Sequence, residues 1–261
     1  MPITPLDTFD HAISRADHFL TLYDILHNSR QRGIRADWRR KFNNFMNWPV
    51  TEEIERIDGK DRQSILILRA GLGVTREKFG HDYCSELLRS AIASSVSALD
   101  RYLHDALVQR CITLLRRREE DIPKKLKELR LPVLTTKKAL EKLRTNPGSR
   151  PGAILKKEIQ DMLHREHTFQ NPHGIETCAS MLGISSLWTS VAREMPGRRS
   201  GQAVKDELIG ITRRRNQIVH ESDLILQTSA SRIKTRAIAR REAIEAIEFV
   251  RAFVSAFEVV A

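Results

Sequence analysis

The sequence predicts an all-α protein: an antiparallel helical bundle with a helical extension over residues 1–80 and an irregular insertion. Three observations predict it. Gly (12) and Pro (9) are scarce in 261 residues, and aromatics make up 6%. Leu, Ile, Ala, Arg, Lys and Glu dominate instead, a mix that favours helices over strands. Two long apolar stripes follow the 4-3 step of one helix face. The first is Leu88, Ile92, Ser95, Leu99, Tyr102, Ala106; the second is Ala243, Ile247, Val250, Val254, Phe257. These two stripes are expected to meet in the core.

In chain order, Thr4-Pro5-Leu6-Asp7 opens a helix, with Thr as N-cap, Pro at the first helical position and an acid in the first turn. Ile13, Ala16, Phe19, Leu20 and Tyr23 recur at helical spacing, and the helix is expected to end before Gly33. A basic, amphipathic helix is predicted over 35–47, stopping before Pro49. Thr51-Glu52-Glu53-Ile54 reads as another short helix start. The apolar run 64–70 (SILILRA) fits a buried strand or a piece of helix, and periodicity does not separate the two at this length. The first stripe extends a helix over 82–117, closed by Arg116-Arg117-Arg118 at the negative end of its dipole. Residues 119–150 are charged and broken by Pro123, Pro132 and Asn146-Pro147-Gly148; they read as short helices and loops. Helices are predicted at 152–167, 173–182 with Gly183 as terminator, 185–195, 200–221 and 235–258.

The charge balance narrows the partners. Forty-four Lys+Arg stand against 33 Asp+Glu, a formal +11, which attracts polyanions, nucleic acid first among them. The same charge is also compatible with a plain helical scaffold whose basic residues serve solubility alone. No apolar run approaches the ~20 residues of a membrane span. The N-terminus has no basic-then-apolar leader, so a cytoplasmic protein without membrane partners is expected. Cys84, Cys111 and Cys178 are too scattered for a disulfide framework or a zinc site. His164 and His167 sit at i, i+3, yet only His173 stands near as a third ligand, so no metal and no cofactor is expected. Phosphate-binding, dinucleotide, nucleophile-elbow and HExxH signatures are all missing.

The end of the 200–221 helix is different. Arg213-Arg214-Arg215-Asn216-Gln217-Ile218-Val219-His220 puts a cationic cluster, an amide and an imidazole within three turns. Histidine moves protons near neutral pH, and arginine is a permanent charge that matches phosphate in a fork. The plainer reading is that the arginines complement the helix dipole and His220 is a cap. One geometric difficulty stands. Asn216 and His220 share a face at i, i+4, whereas Arg215 lies about 140° from His220 around an ideal helix. Arg213, Arg214, Arg198 and Arg199 are expected to bind RNA phosphate.

Arg215-Asn216-x3-His220 resembles the signature of the HEPN superfamily, an Arg followed by a polar residue and, after four to six positions, a His. Arg76 and His81 also satisfy that spacing, but Gly80 between them argues for a loop. The segments SELLRSA (85–91), SALDRYLHD (97–105), Gln170-Asn171-Pro172 and LGISSLW (182–188) are similar to the RiboL-PSP-HEPN branch, over about 81–258. The resemblance implies a HEPN-like helical domain over 81–261 after the extension 1–80. It implies a metal-independent endoribonuclease, with Arg215, Asn216 and His220 catalytic. It also implies a homodimer with the motifs facing across a cleft, and service as a toxin in a toxin–antitoxin or antiphage system, with an antitoxin or defence partner. A non-catalytic HEPN module that binds RNA or a partner protein is the alternative. Ser222 stands where some HEPN toxins carry a tyrosine that a partner enzyme modifies, which puts that form of neutralisation in doubt.

Overall fold

The computed structural model describes residues 3–60, 64–69, 79–130, 132–145, 152–197, 199–225 and 233–261. In these, α1 (Pro5–Leu26), β1 (Arg30–Arg32), α2 (Ala36–Phe45), β2 (Ile54–Asp58) and β3 (Ile65–Arg69) come first. Next are α3 (His81–Leu114), a 3-10 turn (Glu119–Asp121), α4 (Lys124–Lys127), α5 (Val133–Thr145) and α6 (Gly152–Glu166). Then follow α7 (Pro172–Leu182), α8 (Leu187–Glu194), α9 (Gly201–His220) and α10 (Arg240–Val260). The protein is all-α in class, as the composition and the two stripes predict.

The helix boundaries have local causes. At the start of α1, Thr4 Oγ1 accepts from Asp7 N (3.1 Å) while Asp7 Oδ2 accepts from Thr4 N (2.8 Å), a reciprocal capping box. Asn171 caps α7 by accepting from Gly174 N (2.9 Å), with Pro172 in the first turn. Gly183 ends α7 at φ 77°, where a Cβ is disfavoured. Helix α3 stops at Leu114, three residues short of its expected end, and α10 starts at Arg240 rather than near 235.

Every member of the two stripes is buried, none more than 1% exposed. Their later parts belong to one compact unit, residues 1–14, 92–236 and 245–261. There the Tyr102 and Phe257 rings sit edge to face at 6.2 Å, and the Tyr102 hydroxyl donates to Glu258.

Residues 15–91 and 237–244 form the other unit. The stretch expected as a helical extension holds two helices and, in addition, a small sheet. Helices α1 and α2 are present, but the short helix start at Thr51 is not, and the run after Ser64 is a strand. β1, β2 and β3 make an antiparallel sheet in that order, with Arg32 opposite Arg56 and Ile57 opposite Leu66. Strand β2 buries Ile54 and Ile57. Its Asp58, also buried, is held by Arg56 (Nε–Oδ1 2.6 Å) and Arg32 (3.6 Å). Thr51 and Glu52 look like a helix start because caps are local signals, whereas strand pairing is decided by partners elsewhere in the chain.

Among the described residues no helix is long and apolar enough to cross a membrane. All three cysteines are buried and free. Burial raises the pKa of each thiol, that of Cys111 to about 12, so none is a ready nucleophile.

Candidate active site

Helix α9 is fixed at both ends and along one side. Ser200 caps it by accepting from Ala203 N (3.1 Å). Gly201 permits its entry: a Cβ there would lie 2.8 Å from the Trp188 carbonyl carbon. Val204, Leu208 and Thr212, at i, i+4 and i+8, form its buried edge.

The segments that resembled the family connect physically to this helix. Asp100 of α3 accepts from Phe169 N (2.6 Å). The next residue, Gln170, offers its carbonyl to the Thr212 hydroxyl (2.8 Å). Glu176 of α7 accepts from Trp188 Nε1 (2.6 Å) and from Lys205 Nζ (2.7 Å). The bonds from Lys205 and Trp188 hold its carboxyl below the usual range. Core helix, connecting loop and site helix are therefore linked by polar contacts of modest span.

At the last two turns of α9, Arg215 Nη1 contacts His220 Nε2 at 3.3 Å and donates to Asn216 Oδ1 at 3.1 Å. Asn216 and His220 are exposed and Arg215 is half-buried. The helix stays regular through His220. The long arginine side chain, not a distortion, closes the 140° gap between the two positions. A guanidinium is donor only, so this contact is a hydrogen bond in the tautomer that leaves Nε2 as acceptor. Arg215 Nε is buried with no partner among the described residues. The cluster thus joins a proton acceptor and a fixed positive charge at one exposed point.

The turn beyond His220 is tightly built. Ser222 and Asp223 both adopt left-handed backbone (φ 51° and 55°), a conformation that costs non-glycine residues about 1 kcal/mol each. Asp223 is fully buried. Its N–H donates to Gln217 O (2.8 Å), and its carbonyl accepts from Arg236 N (2.8 Å). Leu224 bridges Thr235, and Arg236 reaches Glu221 (3.3 Å).

Arg214 completes this turn. Its guanidinium forks onto the Asp223 carboxylate, Nη2 to Oδ2 at 3.0 Å, with the side chain only 14% exposed. A phosphate would have to compete there with a buried carboxylate. Of the other arginines expected on a phosphate path, Arg213 is exposed on α9. Arg199 is half-exposed and pairs with Glu207. Arg198 lies outside the described residues, as does Arg76 of the second match to the motif spacing. Sequence reasoning missed Asp223, nine residues from Arg214 and off the helix; two polar residues after a helix-ending His were its only signal.

Among the described residues no group of three or more His, Cys, Asp or Glu is placed to hold a metal ion. His164, considered as a ligand, instead stacks on the buried His104 ring (centroids 4.2 Å apart).

The fold first defines the class, an all-helical domain built on two long core helices. The sequence profile of the RiboL-PSP-HEPN family matches residues 77–260, so the chain belongs to that family. No curated protein and no solved structure shows significant similarity to it.

Proposed function

We propose that this protein is a metal-independent endoribonuclease whose reaction is carried by Arg215, Asn216 and His220. The observation that carries the reading is the shared contact of Arg215 with His220 Nε2 (3.3 Å) and Asn216 Oδ1 (3.1 Å) on an exposed helix end. With Arg215 turned from His220 onto the substrate phosphate, His220 Nε2 takes the proton from the 2′-hydroxyl, whose oxygen attacks the adjacent phosphorus. Charge developing on the phosphorane is met by the Arg215 guanidinium, which Asn216 orients. The 5′-oxygen leaves and takes the proton back from the imidazolium, giving a 2′,3′-cyclic phosphate and a 5′-hydroxyl end. Arg213 supplies phosphate contact beside this point, while Arg214 serves the Asp223 turn and falls out of the path.

We further propose a homodimer and a role as a toxin or antiphage effector held by an antitoxin or defence partner. Since Arg215 reaches His220 within one chain, dimerisation is not needed to assemble the cluster; it would widen the basic track for RNA.

The test is cleavage of a single-stranded RNA by the purified chain with excess chelator, with the product ends identified by mass spectrometry. Cyclic-phosphate ends that vanish in His220→Ala are the expected result. RNA bound but left intact would favour a binding module, and complete dependence on added divalent metal would overturn the mechanism.

A further inference from the structure

Within the unit of residues 15–91 and 237–244, outside the span matched by the family, the α2 region carries an unusual surface. Trp38, Phe42 and Phe45 lie at i, i+4 and i+7 and so share one helix face. That face is not packed away: Trp38 is 38% exposed and Phe45 83%. The rings form a ladder. Trp38 stacks on Phe42 (centroids 5.0 Å apart, planes 13° apart), Phe42 meets Trp48 edge-on (5.9 Å), and the Arg69 guanidinium lies over Trp48 (5.5 Å).

The ladder is held firmly. Asn43, fully buried on the opposite side of α2, donates from Nδ2 to Pro49 O (3.1 Å) and Glu52 O (2.9 Å), which fixes the turn that presents Trp48. Glu52 in turn accepts both ends of the Arg69 fork (2.9 and 2.8 Å).

The charge beside the rings is one-sided. Arg30, Arg32, Arg35, Arg39, Arg40 and Lys41 precede or lie in α2, against Asp37 alone. Arg39 is engaged by Glu53 and Arg32 by Asp58. Arg35 and Lys41 are exposed. Arg35 caps the start of α2, and Lys41 sits about 60° from Trp38 by helical angle, so one cation stands at the head of the aromatic face and one beside it.

We propose that this face is a binding platform for single-stranded nucleic acid, with bases stacking on Trp38 and Phe45 and phosphates passing Arg35 and Lys41. Exposed rings flanked by cations match a polymer whose apolar faces alternate with anionic groups. A protein partner would have to place acids both at the head of an apolar stripe and beside it, whereas a nucleic-acid strand carries an anion at every step. Stacking and phosphate contact do not use the 2′-hydroxyl, so the platform should accept DNA and RNA strands alike and stands apart from the cleavage reading.

A strand that the proposed chemistry cannot cut therefore tests it. Fluorescein-labelled oligothymidylate of about 12 nucleotides is titrated with the full chain, following anisotropy. Binding should weaken as salt rises. Trp38→Ala and Phe45→Ala should each raise Kd roughly 5- to 100-fold, the usual effect of removing one stacking ring. Trp38→Phe, which keeps the stack on Phe42, should restore most of the affinity, separating stacking from any folding defect. Arg35→Gln and Lys41→Gln should each lower the slope of log K against log salt by about 0.7. A parental protein that leaves the strand unbound, or a Trp38→Ala protein that is folded and binds as well as the parent, overturns the proposal. So does a change of oligomeric state in Trp38→Ala with unchanged strand affinity, which would assign the face to a second copy of this chain.

Discussion

Three side chains at the end of α9 carry the proposed chemistry, and two of them, His220 and Arg215, make different predictions. His220 is exposed at a helix end, so His220→Ala leaves no cavity. The melting temperature should stay put while cleavage falls roughly 10²–10⁴-fold, the usual worth of a general acid or base. A lowered melt with activity retained would make His220 a cap instead. Arg215→Lys keeps a charge but loses the fork that spans Asn216 and His220, so it should cut nearly as poorly as Arg215→Ala while binding RNA better. Asp223 supports the site from behind. Asp223→Asn tolerates the same left-handed backbone and removes only the charge, leaving Arg214, 14% exposed, facing a neutral amide. Breaking one side of a buried pair costs about 3 kcal/mol. Chemical denaturation should show a loss of that order, and His220 should become more mobile as the turn loosens. A variant as stable as the parent would show that the Arg214–Asp223 pair does not hold the turn.

At the scale of elements, close backbone approach decides how α7 and α9 meet their neighbours. A Cβ at Gly174 would lie 2.1 Å from Thr168 O, and Thr168 leads into the Phe169–Gln170 segment that bonds Asp100 and Thr212. Gly174→Ala must therefore push that segment away, at an expected 1–3 kcal/mol; an unchanged denaturation midpoint would mean the segment yields freely. The helices themselves were legible in the sequence, because capping residues and apolar spacing are local signals that no distant partner has to confirm. The 4-3 steps from Leu88 to Ala106 and from Ala243 to Phe257 picked out the core down to individual residues. The sheet was not legible. β1 is three exposed residues, and β2 (Ile-Glu-Arg-Ile-Asp) mixes charge into a strand whose Asp58 is buried only because Arg32 and Arg56 reach it. The site was legible in part. Spacing singled out Arg215, Asn216 and His220, but angular position alone put Arg215 and His220 too far apart, since it takes no account of side-chain reach. Arg214, identical in type to its neighbours, was separable from them only by the position of Asp223.

For the molecule as a whole, stability in acid should be governed in large part by one histidine unrelated to the proposed chemistry. His104, on α3, is 2% exposed, lies between the Phe169 ring (4.4 Å) and the His164 ring (4.2 Å), and its Nδ1 has no partner among the described residues. Burial pushes its pKa down to about 4, aided by His164 and Arg101 and opposed by Asp100 and Asp105. The Asp100 carboxylate is 3.8 Å from Nε2, too far for a hydrogen bond that would hold a proton there. In the unfolded chain the same imidazole titrates near 6.5. Between those values the unfolded state binds a proton that the folded state refuses, so stability rises with pH across the window. The contribution is complete above about pH 6.5, is lost as pH falls through that value, and levels off below about pH 4, where both states are protonated. The full span amounts to about 3 kcal/mol. The formal +11 charge also destabilises the fold through self-repulsion but is screened by salt. Urea denaturation at high ionic strength, repeated across the window, isolates the buried group from that background. His104→Leu removes the titration while keeping an apolar side chain beside Phe169, and its stability should change with pH less steeply than the parent's by most of that amount. Identical slopes for the two proteins would show that His104 is protonated in the fold after all, with Asp100 close enough in solution to hold the charge.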